Sequence, residues 1–150
     1  MTNEKLLELA EEKEIDVQEF NSMPLKGLAV RTNDDIHHIA INKSMCKNSI
    51  DEKETLAHEI GHCETGSLYC STESYCIREK CEENAKRWTI NTLIPFDRLL
   101  SAVKSGYTEC WEIADKLDVT CQLVQQAFEY YINQIHEMDK FVGELVKYLS

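Results

Sequence analysis

The residues with the clearest capacity for chemistry are His58-Glu59-Ile60-Gly61-His62. On a helix, two histidines four positions apart are separated by only about 40° around the axis, so both imidazoles reach a single ion. Glu59 falls on the flank of that same face, about 100° from His58. A carboxylate there can hydrogen-bond a water beside the ion without being a ligand, which is the place of a general base in metal-assisted hydrolysis. The pattern therefore predicts a divalent-metal centre held by His58 and His62, with Glu59 as the catalytic base.

Two histidines leave a hydrolytic metal short of the usual three protein ligands. The stretch from about Tyr75 to Leu93 reads as the next helix and offers Glu79, Glu82 and Glu83. Its buried side is expected to comprise Ile77, Cys81, Ala85 and Trp88, and Glu82 lies nearest the edge of that side, whereas Glu79 and Glu83 turn outward. Glu82 is the expected third ligand. Tyr69 and Tyr75 are candidate transition-state helpers, since a metal-assisted attack on a carbonyl gains from a further donor to the developing oxyanion. His37 and His38 are adjacent on a strand and point to opposite faces, so they cannot chelate one ion together. Neither they nor His136 enter the site.

The elements that must position these groups are marked by punctuation and periodicity. Ser49-Ile50-Asp51-Glu52 has the spacing of a capping box and starts a helix expected from Ile50 to about Cys63, with Leu56, Ile60 and Cys63 on its packing side. Upstream, residues 4 to 13 form an amphipathic helix whose apolar side is Leu6, Leu7, Leu9 and Ala10. Residues Ile15, Val17 and Phe20 read as a connecting segment. Leu28 to Arg31 and Ile36 to Asn42 read as two strands joined at Asn33-Asp34-Asp35 in a hairpin. After the metal helix, Glu64 to Tyr69 is turn-forming, and a polar loop to about Ser74 could border the cleft. Beyond Pro95 the chain is helical: Phe96 to Val103, Thr108 to Leu117, and a long segment from Thr120 towards Leu149 that a break could divide.

Ile113-Ala114, Leu117, Val119 and Leu123-Val124 have the spacing of a helix-turn-helix. Between Thr120 and His136, however, there is no Lys or Arg. A net charge of −11 likewise disfavours direct binding to nucleic acid, which requires clustered cations, and suits a basic protein partner better. Seven cysteines without paired Cys-x-x-Cys spacing fit a reducing compartment and are expected to be mostly buried thiols. A second zinc site from Cys63, Cys70, Cys76 and Cys81 is the weaker alternative, because close pair spacing is missing. The start of the chain lacks the pattern of a secretory signal and no apolar run approaches a membrane span, so the expected location is the cytoplasm.

Leu56-Ala57-His58-Glu59-Ile60-Gly61-His62, Cys63-Glu64-Thr65-Gly66-Ser67-Leu68-Tyr69, and Glu82-x-x-Ala85-x-x-Trp88 leading to Leu93-Ile94-Pro95 together resemble the ImmA/IrrE metallopeptidase family. The likeness spans roughly residues 24 to 95. It departs from the family pattern at Lys86, where Asn is common, and at Thr89, where Ala is common. The resemblance implies a zinc-dependent endopeptidase, often carried by phages or integrating elements, that cleaves a helix-turn-helix repressor and releases transcription. It places the metal ligands at His58, His62 and Glu82 and the catalytic glutamate at Glu59, the same four residues reached from spacing.

The expected fold is α+β and zincin-like, a small sheet packed on the metal helix with a helical C-terminal half. Residues 1–150 are expected to form one domain, with a catalytic core at about 24–95 and a helical subdomain at about 96–150. One zinc per chain is expected, manganese or iron being compatible with the same donors. The competing functions are a non-cleaving protein that grips and antagonises a repressor, disfavoured by an intact Glu59, and a DNA-binding regulator, disfavoured by charge.

Overall fold

The computed structural model describes residues 1–70 and 72–149, and of Tyr148 only the backbone. Ser71, in the polar loop after the metal helix, therefore lies outside the described residues. Among these, the elements run α1 (Asn3–Glu12), β1 (Ile15–Glu19), β2 (Gly27–Arg31), β3 (His37–Ile41), a 3-10 turn (Lys43–Met45), α2 (Ser49–Glu64), α3 (Tyr75–Leu93), α4 (Phe96–Lys104), α5 (Cys110–Leu117) and α6 (Cys121–Leu149). The fold is α+β, with one small sheet and a helical C-terminal half.

The expected hairpin is present: β2 pairs antiparallel with β3, Ala29 opposite Ile39. Residues 15–19 are not a connector. They form β1, which pairs parallel with β3 in the register Ile15–His37 and Val17–Ile39, giving the order β1-β3-β2. The short run Ile15-Asp16-Val17 alternates, but its partner lies across two intervening segments, and a five-residue strand carries little signal without its partner. The order leaves β2 as an edge strand.

Ile15, Ile39 and Ile41 form the buried side of the sheet and pack with Leu6 and Ala10 of α1 and with Leu56, Ala57, Ile60 and Cys63 of α2. Each large side chain buried this way contributes about 1.5–3 kcal/mol. Leu7, expected on the apolar side of α1, is exposed. The cap of α2 is also one residue earlier than the spacing suggests: Asn48, not Ser49, accepts the backbone N–H of Asp51 at 2.9 Å. Either residue type is a strong cap, and the acids Asp51 and Glu52 sit in the first turn in both registers.

Where α2 crosses α3, Gly61 removes the obstacle between them. A Cβ at Gly61 would lie 2.8 Å from the carbonyl oxygen and 3.2 Å from the Cα of Ala85. On α3 the buried residues are Ala85, Thr89, Ile90 and Leu93. Trp88 is partly buried against the core, but Ile77 is exposed and Cys81 is half-buried, so the expected packing stripe fails in the first two turns. Those turns stand clear of the core, and Arg78 and Glu82 on them line a cleft shared with α2.

The helix-turn-helix spacing corresponds to α5, a left-handed residue at Asp118 with φ 56°, and α6. Its turn is docked onto α2. The buried ammonium of Lys53 donates to the carbonyl of Asp118 and, at 2.6 Å, to its carboxylate. Glu54 accepts the N–H of Thr120 at 2.6 Å and its hydroxyl at 2.9 Å. The motif therefore serves internal packing. Helix α6 runs unbroken from Cys121 to Leu149. Its first half supplies Leu123, Val124, Ala127 and Tyr131 to the core, whereas Met138, Phe141 and Leu149 are exposed.

All seven cysteines are free, and only Cys63 is buried; Cys70, Cys76 and Cys121 are exposed. The expectation of mostly buried thiols is thereby corrected. These three sit on loops or on the outward turns of α3 and α6, where composition says nothing about burial. Among the described residues, no helix is long and apolar enough to cross a membrane.

Candidate metal centre

Helix α2 presents His58 and His62 with their rings 4.7 Å apart, edge to face. Across the cleft, α3 brings the carboxylate of Glu82 between them. Its Oε2 lies 2.9 Å from His58 Nε2, and its Oε1 lies 3.3 Å from His62 Nε2. One donor atom from each of the three residues lies within 4.8 Å of the others. Two neutral imidazoles and a carboxylate are a ligand set suited to zinc and also tolerated by other first-row ions. The donor set thus fits a divalent ion without any further residue being recruited.

His62 is oriented by the turn that ends α2. The N–H of Ser67 bonds the carbonyl of His62 at 3.0 Å, and that of Gly66 bonds the carbonyl of Cys63 at 3.3 Å. With Gly66 at φ 62°, these two bonds make a Schellman ending. The chain then turns back, so that the carbonyl of Ser67 lies 2.9 Å from His62 Nδ1. A carbonyl only accepts, so Nδ1 carries the proton and Nε2 keeps its lone pair for a metal. The Thr-Gly-Ser run after the helix is the sequence signal for this support, legible as a turn but not as a clamp on a ligand.

Glu59 is 9% exposed and lies against β2. Burial first, then the charge of Glu82, pushes its carboxyl up to about 7, and a hydrogen bond from the Ala29 backbone opposes the shift. Burial raises Glu82 too, but the Tyr69 hydroxyl and the two histidines outweigh it and hold that carboxyl below its ordinary value. Burial, and then the neighbouring His62, lower His58. The neutral imidazole is the form a metal takes. One carboxylate is thus held ionised among the donors, and its neighbour is poised to take a proton near neutrality.

A cavity of about 410 Å³ is lined by His58, Glu59, His62, Tyr69, Arg78 and Glu82 together with Leu25, Gly27, Leu28 and Ala29. A neighbouring cavity of about 360 Å³ extends the groove past His58 and Glu59 to Lys86, Thr120 and Gln126. Residues of the edge strand β2 therefore border the groove.

Of the residues expected at the site, the structure gathers His58, Glu59, His62, Glu82 and Tyr69. The hydroxyl of Tyr69 donates to Glu82 Oε1 at 2.6 Å, and this bond, together with burial, pushes the phenol up to about 12. Tyr75 is placed elsewhere, 68% exposed, with its hydroxyl 3.4 Å from Glu79. Glu83 faces Lys86 and Arg87. His38 pairs with Asp16 on the sheet, 2.9 Å away. Arg78, not anticipated from spacing, lines the cleft one turn before Glu82.

A helix bearing two histidines and a glutamate on a small mixed sheet, with a carboxylate supplied by the next helix, is the arrangement of a metallopeptidase. The model of the peptidase family described as the IrrE N-terminal-like domain matches residues 10–129, and the chain belongs to that family. Comparison with curated proteins and with solved structures gave no match.

Proposed function

We propose that this chain is a cytoplasmic, zinc-dependent endopeptidase that cuts a helix-turn-helix transcriptional repressor of a phage or other mobile element, thereby relieving repression. The observation that carries this reading is the meeting of His58, His62 and Glu82 beside the buried Glu59, in a groove edged by β2. Membership of the peptidase family supports the reaction class. The charge of −11 suits a basic, DNA-binding substrate and not DNA itself.

Zinc held by the three donors would supply Lewis-acid polarisation of a peptide carbonyl. His58, His62 and Glu82 fix the place of that polarisation, and Ser67 and Tyr69 hold two of them in orientation. Glu59 takes a proton from the attacking water and returns it to the leaving amine. An extended substrate lies along β2, where Gly27 leaves room for the Glu59 side chain.

The test uses a helix-turn-helix repressor encoded beside this chain, incubated with wild type and with Glu59→Gln. Wild type should yield fragments, and the variant should hold its metal and the repressor without cutting. Release of intact repressor from DNA by wild type would instead favour a binding antagonist.

A further inference from the structure

Arg78 Nε is the one buried side-chain nitrogen or oxygen among the described residues without a hydrogen-bond partner. Folded chains retain few such donors, because a buried N–H that has given up water and found no acceptor is costly. Its isolation is more unusual in a chain with 27 acidic side chains against 16 basic ones. No ion pair involves Arg78 among the described residues. The carboxylate one turn further along α3, Glu82, has both oxygens engaged: Oε1 by Tyr69 at 2.6 Å and His62 at 3.3 Å, Oε2 by His58 at 2.9 Å.

Arg78 shares the cleft with the candidate metal donors and Glu59, and Gly27, Leu28 and Ala29 of β2 line the same cleft. A peptide chain lying on the β2 edge directs half of its backbone groups towards that strand and the rest away from it. α3 lines that same cleft, and there Arg78 carries the uncommitted donors. Tyr69 is the natural helper by sequence, but its hydroxyl proton is given to Glu82.

We propose that Arg78 is a catalytic residue of the peptidase reaction, its guanidinium donating to the oxygen of the scissile carbonyl as negative charge develops there. The proposal rests on the peptidase reading. Water oxygen adds to the carbonyl carbon, the carbonyl π pair moves to oxygen, and Glu59 takes a water proton. The C–N bond then breaks, the oxygen pair restores the carbonyl, and the proton on Glu59 passes to the amine nitrogen. Arg78 keeps its proton throughout, since a guanidinium does not deprotonate in proteins. Donors aimed at the developing charge, and not at the ground-state carbonyl, are the ones that raise kcat.

The experiment measures binding by the zinc-loaded full chain of two inhibitor types with the same apolar side chains, matched to Leu25, Leu28 and Leu68 in the cleft. One is a phosphonamidate dipeptide, which carries a tetrahedral anion at the scissile position. The other is a thiol dipeptide, which engages the metal through sulfur and has no such anion. Arg78→Gln and Arg78→Lys should weaken phosphonamidate binding by on the order of 10²-fold and on the order of 10-fold respectively. Thiol affinity, metal content and melting temperature should stay near wild type. Equal loss of both inhibitors, loss of metal in both Arg78 variants, or no change in either would overturn the role. If wild type binds and cleaves but Arg78 proves silent, the peptidase reading survives; if wild type binds neither inhibitor, both readings fall.

Discussion

Gly27 on the edge strand lies so close to Glu59 on the metal helix that a Cβ added there would sit 2.7 Å from Glu59 Oε1 and 2.8 Å from its Cγ. The same carbon would lie 2.9 Å from Thr55 Cγ2, so the intrusion is bounded on two sides. Strand and carboxylate are therefore fitted to each other.

Gly27→Ala should displace the Glu59 carboxylate while leaving His58, His62 and Glu82 in place. Metal content is expected to match wild type, and kcat to fall on the order of 10²-fold, the usual consequence of an ångström-scale misplacement. The check is metal analysis beside cleavage kinetics. Loss of metal together with activity would mean that the strand supports the ligands and not the base.

The ligand set makes its own demand. His58→Ala or His62→Ala should abolish stoichiometric metal binding, and Glu82→Ala should weaken it, whereas Glu79→Ala and Glu83→Ala should leave it unchanged, because those acids face Tyr75 and the pair Lys86 and Arg87. Elemental analysis after dialysis separates the cases. Retention in the Glu82 variant with loss in either neighbour would mean the wrong acid has been assigned.

How much of the fold and the site is legible in the sequence depends on how local the cause is. That His58, Glu59 and His62 share one side of a helix follows from periodicity alone; Glu82 meets the two histidines as its helical position suggests, although the first half of the apolar stripe used to place it is not buried. The hairpin β2–β3 is also local. β1 is not, because its pairing with β3 skips over β2 in the chain, and Ile77 and Cys81 mislead because periodicity cannot tell a buried apolar face from one left exposed. The apparent helix-turn-helix shows the same limit: spacing reveals that two helices meet at an angle, but only Lys53 and Glu54, sixty-five residues away or more, reveal what holds the turn.

That anchorage should be asymmetric. Lys53 is almost wholly buried, its side chain 3% exposed, whereas that of Asp118 is 68% exposed. Asp118→Asn keeps a residue tolerant of the left-handed backbone but removes the charge facing the buried ammonium; a loss of about 2 kcal/mol is expected. Lys53→Met removes the buried charge itself and lets Asp118 face water, so it should cost less. Urea unfolding of the two variants decides the order. A costlier Lys53→Met would mean that its bond to the Asp118 carbonyl, and not charge burial, governs the site.

The elevated carboxyl of Glu59 gives the metal-free protein a pH dependence of stability with a definite sign. Its pKa rises on folding from the ordinary 4.5 to about 7, mainly through burial. Below 4.5 the group is protonated in both states and costs nothing. Between 4.5 and 7 the unfolded chain ionises while the folded chain holds its proton, so stability falls as pH rises; above 7 the full penalty applies. A shift of that size corresponds to about 3 kcal/mol. Glu59→Gln carries no such charge yet can still accept the Ala29 N–H. In the presence of a chelator, the variant should therefore match wild type near pH 4 and exceed it by up to about 3 kcal/mol at pH 8, at the same time as it loses cleavage. Denaturant titrations of both proteins at the two pH values make the comparison. A variant no more stable at pH 8 than wild type would show that Glu59 ionises in the folded chain as easily as in water, and the base would then need another source for its proton affinity.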